Sequence, residues 1–181
     1  MNQKLILSIV LFLFTFAIKS QNWGNGERVK GNGKIVTETR TTSEYDEINV
    51  GGSFDVVLVK GKEGIIKIEG EENINPFIEI EVSRGNLQIK YKKNTYINTT
   101  KKLTITVPIT NIDKVSLGGS GNISNVGIIK TNEFSASLGG SGNIKLQIET
   151  NSMSVNIGGS GNIEISGKTT EFNCSVAGSG N

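Results

Sequence analysis

Few residues of this chain could do covalent or acid/base chemistry. Its 181 residues include three Asp (Asp46, Asp55, Asp113), one Cys (Cys174) and no His. Two carboxyls held about 5–10 Å apart across a cleft could hydrolyse a glycosidic bond. The glutamates, however, alternate with apolar residues, as Glu79 and Glu81 do beside Ile78 and Ile80. That spacing reads as a solvated strand face. Without His there is no Ser-His-Asp or Cys-His catalysis, no imidazole acid/base group and no His-ligated metal. One Cys makes neither an intramolecular disulfide nor a Cys-rich zinc site. Cys174 falls between Phe172 and Val176 in an alternating segment, which predicts a small buried hydrophobe rather than a nucleophile. The sequence therefore assigns no catalytic, cofactor-binding or metal-binding residue and implies no cofactor.

The densest run of like charge is Lys90, Lys92, Lys93, Lys101 and Lys102. Such a run suits an anionic glycan or a nucleic acid, or else an outward strand face that resists edge pairing. Net charge favours the second reading. Residues 1–20, MNQKLILSIVLFLFTFAIKS, have a basic start, an apolar run from Leu5 to Ile18 and a small residue at Ser20. This is the layout of a cleaved signal peptide, and the apolar run is short for crossing a ~30 Å hydrocarbon layer. Removing Lys4 and Lys19 takes the 19 Lys and Arg to 17, equal to the 17 Asp and Glu. A neutral chain lacks the field that steers proteins to nucleic acid. The expectation is an exported protein, in the periplasm, at the outer membrane surface or outside the cell. After cleavage it has no transmembrane segment.

The elements that must position any site are announced by repetition. Val115-Ser-Leu-Gly-Gly-Ser-Gly-Asn-Ile123 recurs from Ala136 to Ile144 and from Val155 to Ile163, and again from Cys174 to Asn181. A degenerate copy runs from Ile48 to Val56. Before each corner the chain alternates: Phe134, Ala136 and Leu138 one way, Ser135 and Ser137 the other. Ile144, Leu146 and Ile148 alternate again after it. Period two means strands with one buried face. The corners comprise Gly119, Ser120, Gly121 and Asn122; Gly140, Ser141, Gly142 and Asn143; Gly159, Ser160, Gly161 and Asn162; and Gly178, Ser179, Gly180 and Asn181. Glycine suits a corner by reaching positive φ and by admitting a neighbouring backbone, and Asn tolerates the left-handed region. These motifs lack the Lys of a phosphate loop, and no helix follows them. If the copies stack in register, the asparagines form a column that can bond side chain to side chain.

Two architectures fit. One is a right-handed parallel β-helix or solenoid with one coil per copy. The other is a sandwich or barrel in which each corner is a hairpin turn. Serial translation and a corner with Gly before Asn favour the first. Residues 21–40 read as an exposed lead-in, and 41–181 as one all-β domain with an irregular first half. Strands are expected at Phe54–Val59, Ile65–Glu69, Ile78–Val82, Leu87–Tyr91 and Leu103–Val107. Pro76 and Pro108 are expected at strand edges or junctions. The sequence stops at Asn181 inside a corner, so the natural product is expected to continue by at least one coil or cap.

The exported start, the Asn22-Trp-Gly-Asn-Gly26 segment, the Ile48–Val56 copy and the serial Gly-Ser-Gly-Asn corners resemble the autotransporter adhesin head domain family called GIN. It is a domain of unknown function common in Bacteroidetes, and the resemblance covers about residues 40–181. It implies an all-β, β-helix-like fold outside the inner membrane. Many members carry Asp at the last corner position, where this chain has Asn122, Asn143, Asn162 and Asn181, so no calcium site is implied. The leading function is a non-catalytic secreted or cell-surface adhesin or envelope interaction domain. Its partners would be a surface glycan or an envelope protein, not nucleic acid. Its flat face would be Ser116, Ser135, Ser137, Ser154, Asn156, Asn173 and Ser175. The alternatives are a polysaccharide-modifying β-helix enzyme and a purely structural envelope component. Ligand-binding residues and oligomeric state are left open.

Overall fold

The computed structural model describes residues 26–181. The signal segment, Trp23 and the first residues of the lead-in lie outside the described residues. In chain order the strands begin with β1 (Glu27–Lys30), β2 (Ile35–Thr41), β3 (Glu47–Gly51), β4 (Asp55–Lys60), β5 (Ile65–Glu71) and β6 (Ile78–Ser83). Then come β7 (Asn86–Tyr91), β8 (Thr95–Asn98), β9 (Thr104–Ile109), β10 (Lys114–Leu117), β11 (Asn122–Val126) and β12 (Ile129–Lys130). The series ends with β13 (Glu133–Leu138), β14 (Asn143–Glu149), β15 (Ser152–Ile157), β16 (Asn162–Lys168) and β17 (Glu171–Val176). Among the described residues the one helical element is a 3-10 turn at Asn75–Phe77, which carries Pro76.

Two open, mixed sheets make the body of the all-β fold. Seven strands are hydrogen-bonded in the order β17-β15-β13-β10-β3-β7-β6. The other sheet runs β12-β14-β11-β4-β9-β5-β2, with β16 added against β14. This arrangement fits the sandwich alternative. The corners are not its hairpins, because β10 and β11 flank one corner yet lie in different sheets. Instead, copies pair with copies. Val115 lies opposite Ala136, Ala136 opposite Val155, and Val155 opposite Cys174, all in parallel register. The degenerate copy joins them, with Val115 opposite Ile48 and Asn122 opposite Asp55. Departures from parallel pairing fall in the first half, at β2–β5, β5–β9 and β6–β7.

Alternation decides which face is inside. Phe134, Ala136 and Leu138 of β13 are buried, as are Ile144, Leu146 and Ile148 of β14. One apolar cluster spans both sheets, from Ile48, Phe54 and Ile105 to Met153 and Ile157. Burying one such large side chain stabilises by roughly 1.5–3 kcal/mol, so a few per rung outweigh any single surface contact.

Three readings change. Residues 26–40 are more than a lead-in: β1 pairs with β8, and β2 with β5. Pro108 lies inside β9 rather than at a junction. Its missing N–H costs little because β5 pairs with β9 only up to Thr106, short of Pro108. Cys174 is exposed, not buried. It faces inward, opposite buried Val155, but β17 is the outermost strand of its sheet. Phe172 and Val176 are correspondingly 57% and 51% exposed.

Candidate functional site

The corners are built by close backbone approach. An added Cβ on Gly140 would collide with the Gly119 carbonyl oxygen, and one on Gly159 with that of Gly140. Gly119, Gly121, Gly142, Gly161, Gly178 and Gly180 are equally constrained by the backbone of the preceding rung. None of these glycines has a positive φ, so of the two reasons for glycine at the corner the close approach of a neighbouring backbone applies and the left-handed conformation does not. Backbone bonds hold the rungs together: Ser141 N–H donates to the Gly119 carbonyl at 3.1 Å, and Ser160 N–H to that of Gly140 at 3.0 Å. Ser179 N–H follows, donating to the Gly159 carbonyl at 3.1 Å. Ser120 sits in the same corner of the first full copy.

Beside the glycines runs a one-directional amide ladder. Asn181 donates to Asn162 (3.4 Å), Asn162 to Asn143 (3.0 Å), and Asn143 to Asn122 (2.9 Å). Asn122 donates to Asp55 Oδ1 at 2.6 Å. Asp55 Oδ2 pairs with Lys102 Nζ at 3.1 Å, so a carboxylate closes the acceptor end. Each exposed amide bond contributes at most about 1 kcal/mol. The core holds the stack, and the ladder adds to its register.

The first glycine of each copy behaves differently. A Cβ on Gly139 would meet nothing within 4 Å, and those on Gly118 and Gly158 would reach a carbonyl only at 3.9 Å. Ala177 takes this place in the last copy. These exposed positions lie on the outer face of the seven-stranded sheet, two residues beyond Ser116, Ser137 and Asn156. Register extends that polar column in both directions, from Gln88 and Asn49 through Ser116 and Ser137 to Asn156 and Ser175. Ser135, Ser154 and Asn173 form the next column. A shallow groove of about 350 Å³ follows the glycines, lined by Asn49, Gly51, Gln88, Ser116, Gly118 and Ser137 among others. Lys90 stands at its end.

The lysine run is largely spoken for. Lys90 Nζ lies 3.7 Å from Glu79 and 3.9 Å from Glu81. Lys102 pairs with Asp55, and Lys92 lies over the Phe77 ring at 5.9 Å. Glu79 and Glu81 thus share one lysine.

One carboxylate escaped the sequence reading. Glu71 is 1% exposed and accepts from Gly33 N–H (2.7 Å), Thr100 N–H (2.8 Å), Thr100 Oγ1 (2.6 Å) and Lys101 N–H (3.3 Å). Burial works against its charge, but these four donors outweigh it and bring its carboxyl down to about 2. Glu71 is a clamp between the lead-in and the loop before β9. Its signal, an acidic residue at the end of an apolar strand, is too common to single out.

At the far end of the core, β16 and β17 flank a cavity of about 340 Å³, lined by Met153, Val155, Ile163, Ile165, Phe172 and Cys174 among others. No helix of the described residues is long and apolar enough to cross a membrane.

Known proteins place this arrangement. A structure from Parabacteroides distasonis named as a putative lipid binding protein is 25% identical with a TM-score of 0.76. The match covers 83% of this chain but only 65% of that one, so this chain spans less than two thirds of it. A putative adhesin from the same organism matches at 22% identity and TM-score 0.65, covering 85% and 74% of the two chains. A putative adhesin from Bacteroides fragilis shares the fold at 16% identity and TM-score 0.62, covering 84% and 97%. No curated protein matches the chain. Residues 44–181 match the family described as "Putative auto-transporter adhesin, head GIN domain", and the chain belongs to that family.

Proposed function

We propose that this protein is an exported, non-catalytic binding module of the cell surface, whose stacked β-coils present a flat polar face to a surface glycan. The carrying observation is the outer face of the seven-stranded sheet. There Gln88, Asn49, Ser116, Ser137, Asn156 and Ser175 stand in register beside glycines that the fold does not require. Amide and hydroxyl groups repeat along the stack at the ~4.8 Å strand spacing. A sugar polymer offers hydroxyls at a comparable step, and bare backbone lets it approach closely. Membership of an adhesin-named family supports the surface setting.

The solenoid description rests on the parallel pairing of each copy with the next. The enzyme alternative lacks a comparable observation, because Glu79 and Glu81 face a shared lysine rather than a cleft. A purely structural envelope role would leave the face without a ligand.

Glycan-array and cell-attachment assays test the proposal. Binding to a polymeric saccharide, lost in Ser137→Arg and Gly139→Arg with the fold intact, is the expected result. No binding to any surface ligand overturns it in favour of the structural role. Turnover of a polysaccharide that disappears with one carboxylate overturns it in favour of the enzyme.

A further inference from the structure

A second site lies on the small ribbon made by β1 and β8, away from the repeats. The two strands pair in parallel, with Arg28 opposite Tyr96 and Lys30 opposite Asn98. Paired residues in a parallel ladder share a face, as do residues two apart. Arg28, Lys30, Tyr96 and Asn98 therefore occupy one face, and all four are exposed. Val29 and Ile97 occupy the other and pack against the core. The ribbon is fastened at both ends, by Glu27 N–H to the Asn94 carbonyl (2.8 Å) and Gly31 N–H to the Asn98 carbonyl (2.9 Å).

The exposed face is organised. The Arg28 guanidinium lies 5.9 Å from the centre of the Tyr96 ring, within the range of a cation–π contact. Gly26 backs the ring so closely that a Cβ there would strike it. The ring is nevertheless 56% exposed. A groove of about 340 Å³ crosses the ribbon, lined by Arg28, Val29, Lys30, Tyr96, Ile97 and Asn98.

Both cations of this face are without an acidic partner among the described residues: neither Arg28 nor Lys30 has a carboxylate within ion-pair distance, unlike Lys90 and Lys102. Residues 1–25 contain no Asp or Glu at all, so they supply no partner either. Glu27, the acidic residue of β1, alternates to the opposite face with Val29. Two unneutralised cations flank an open aromatic ring and an amide.

The geometry points to a binding site for an acidic saccharide, a sugar bearing a carboxylate or sulfate ester. A pyranose ring lays its C–H face on Tyr96, and its anionic group meets the planar fork of Arg28, with Lys30 as the second cation. The Asn98 amide serves a ring hydroxyl. Single-stranded nucleic acid also uses stacking and cations, but it needs a long basic track. Here two cations sit on a chain whose formal charge is only +2.

The test is titration of the purified protein, by calorimetry, with four probes: oligogalacturonate, a sulfated heparin oligosaccharide, a neutral cello-oligosaccharide and oligo(dT). Binding to either acidic saccharide, weakening with salt and absent for the neutral one, is expected; comparing the two identifies the anion. Tyr96→Ala and Arg28→Ala should each weaken it about tenfold, Arg28→Lys less, and Lys30→Glu should abolish it. These side chains are exposed, so circular dichroism should stay unchanged. Ser137→Arg, on the other face, should leave this binding intact, which separates the site from the polar face of the repeats. Failure of both acidic saccharides to bind, equal affinity for the neutral probe, tighter binding of oligo(dT), or indifference to Arg28 and Tyr96 would each overturn the assignment.

Discussion

Asn122 donates its side-chain amide to Asp55 at 2.6 Å, although the two residues are 67 apart in sequence. Asp55 belongs to the degenerate first copy and stands where the later copies carry Asn. It can only accept, so it fixes the direction in which every amide of the ladder points.

That direction predicts a graded response. Asn143 both gives and takes a ladder bond, whereas Asn181 gives one long bond of 3.4 Å. Asn143→Ala should cost about 1–2 kcal/mol in urea unfolding, two net bonds at an exposed site. Asn181→Ala should stay within about 0.5 kcal/mol. Equal costs at the two positions would mean that the ladder does not contribute as a set of separate bonds.

The two adjacent glycines of one corner predict opposite outcomes. Gly140→Ala forces a methyl into the Gly119 carbonyl and should destabilise by about 1–3 kcal/mol or more. Gly139→Ala projects into open space without a positive φ. It should be neutral or stabilise by up to about 1 kcal/mol, through the unfolded chain. Denaturation midpoints of the two variants settle the point.

Much of this fold is legible locally. Alternation in Phe134–Leu138 and Ile144–Ile148 marks strands and their buried faces without reference to anything distant. What escapes depends on partners far along the chain. Cys174 has the pattern of a buried residue, yet it is exposed because its strand, β17, is the outermost of its sheet. Glu71 looks like any strand-end acid until Gly33 and Thr100, 38 and 29 residues away, close on it. Arg28 and Tyr96 meet through a pairing that no local pattern encodes. The corner glycines are visible as a spacing, but only the stacked backbone shows that close approach, not handedness, demands them.

Phe54 occupies the place that Gly121 takes in the next rung, and its ring is fully buried with its centre 4.5 Å from that of Tyr91. At this rung the core must reach β7, so the space that a glycine would leave is filled. Phe54→Ala should cost about 3–5 kcal/mol, the usual range for a buried aromatic. Phe54→Leu, which keeps most of the volume, should cost clearly less. A loss below about 1 kcal/mol for Phe54→Ala would mean that the first rung packs more loosely than the structure shows.

Glu71 makes stability depend on acid. Its carboxyl sits at about 2 in the folded chain against an ordinary 4.5, because four donors aim at the charged form. The unfolded chain therefore takes up a proton first as pH falls. The stabilisation is complete above about pH 5, drains away between roughly 4.5 and 2, and is gone below that. Glu71→Gln keeps the shape but turns an NH2 toward two of the four donors, either Gly33 N–H with the Thr100 hydroxyl or the N–H groups of Thr100 and Lys101. Its melting temperature should lie several degrees below wild type at pH 7, and the gap should narrow as pH is lowered from 5 to 2. Thr100→Val removes only the hydroxyl donor and should act in the same direction with a smaller gap. Thermal melts of the three proteins across that range decide it: parallel curves for wild type and Glu71→Gln would show that the carboxylate is not what ties Gly33 to the loop before β9.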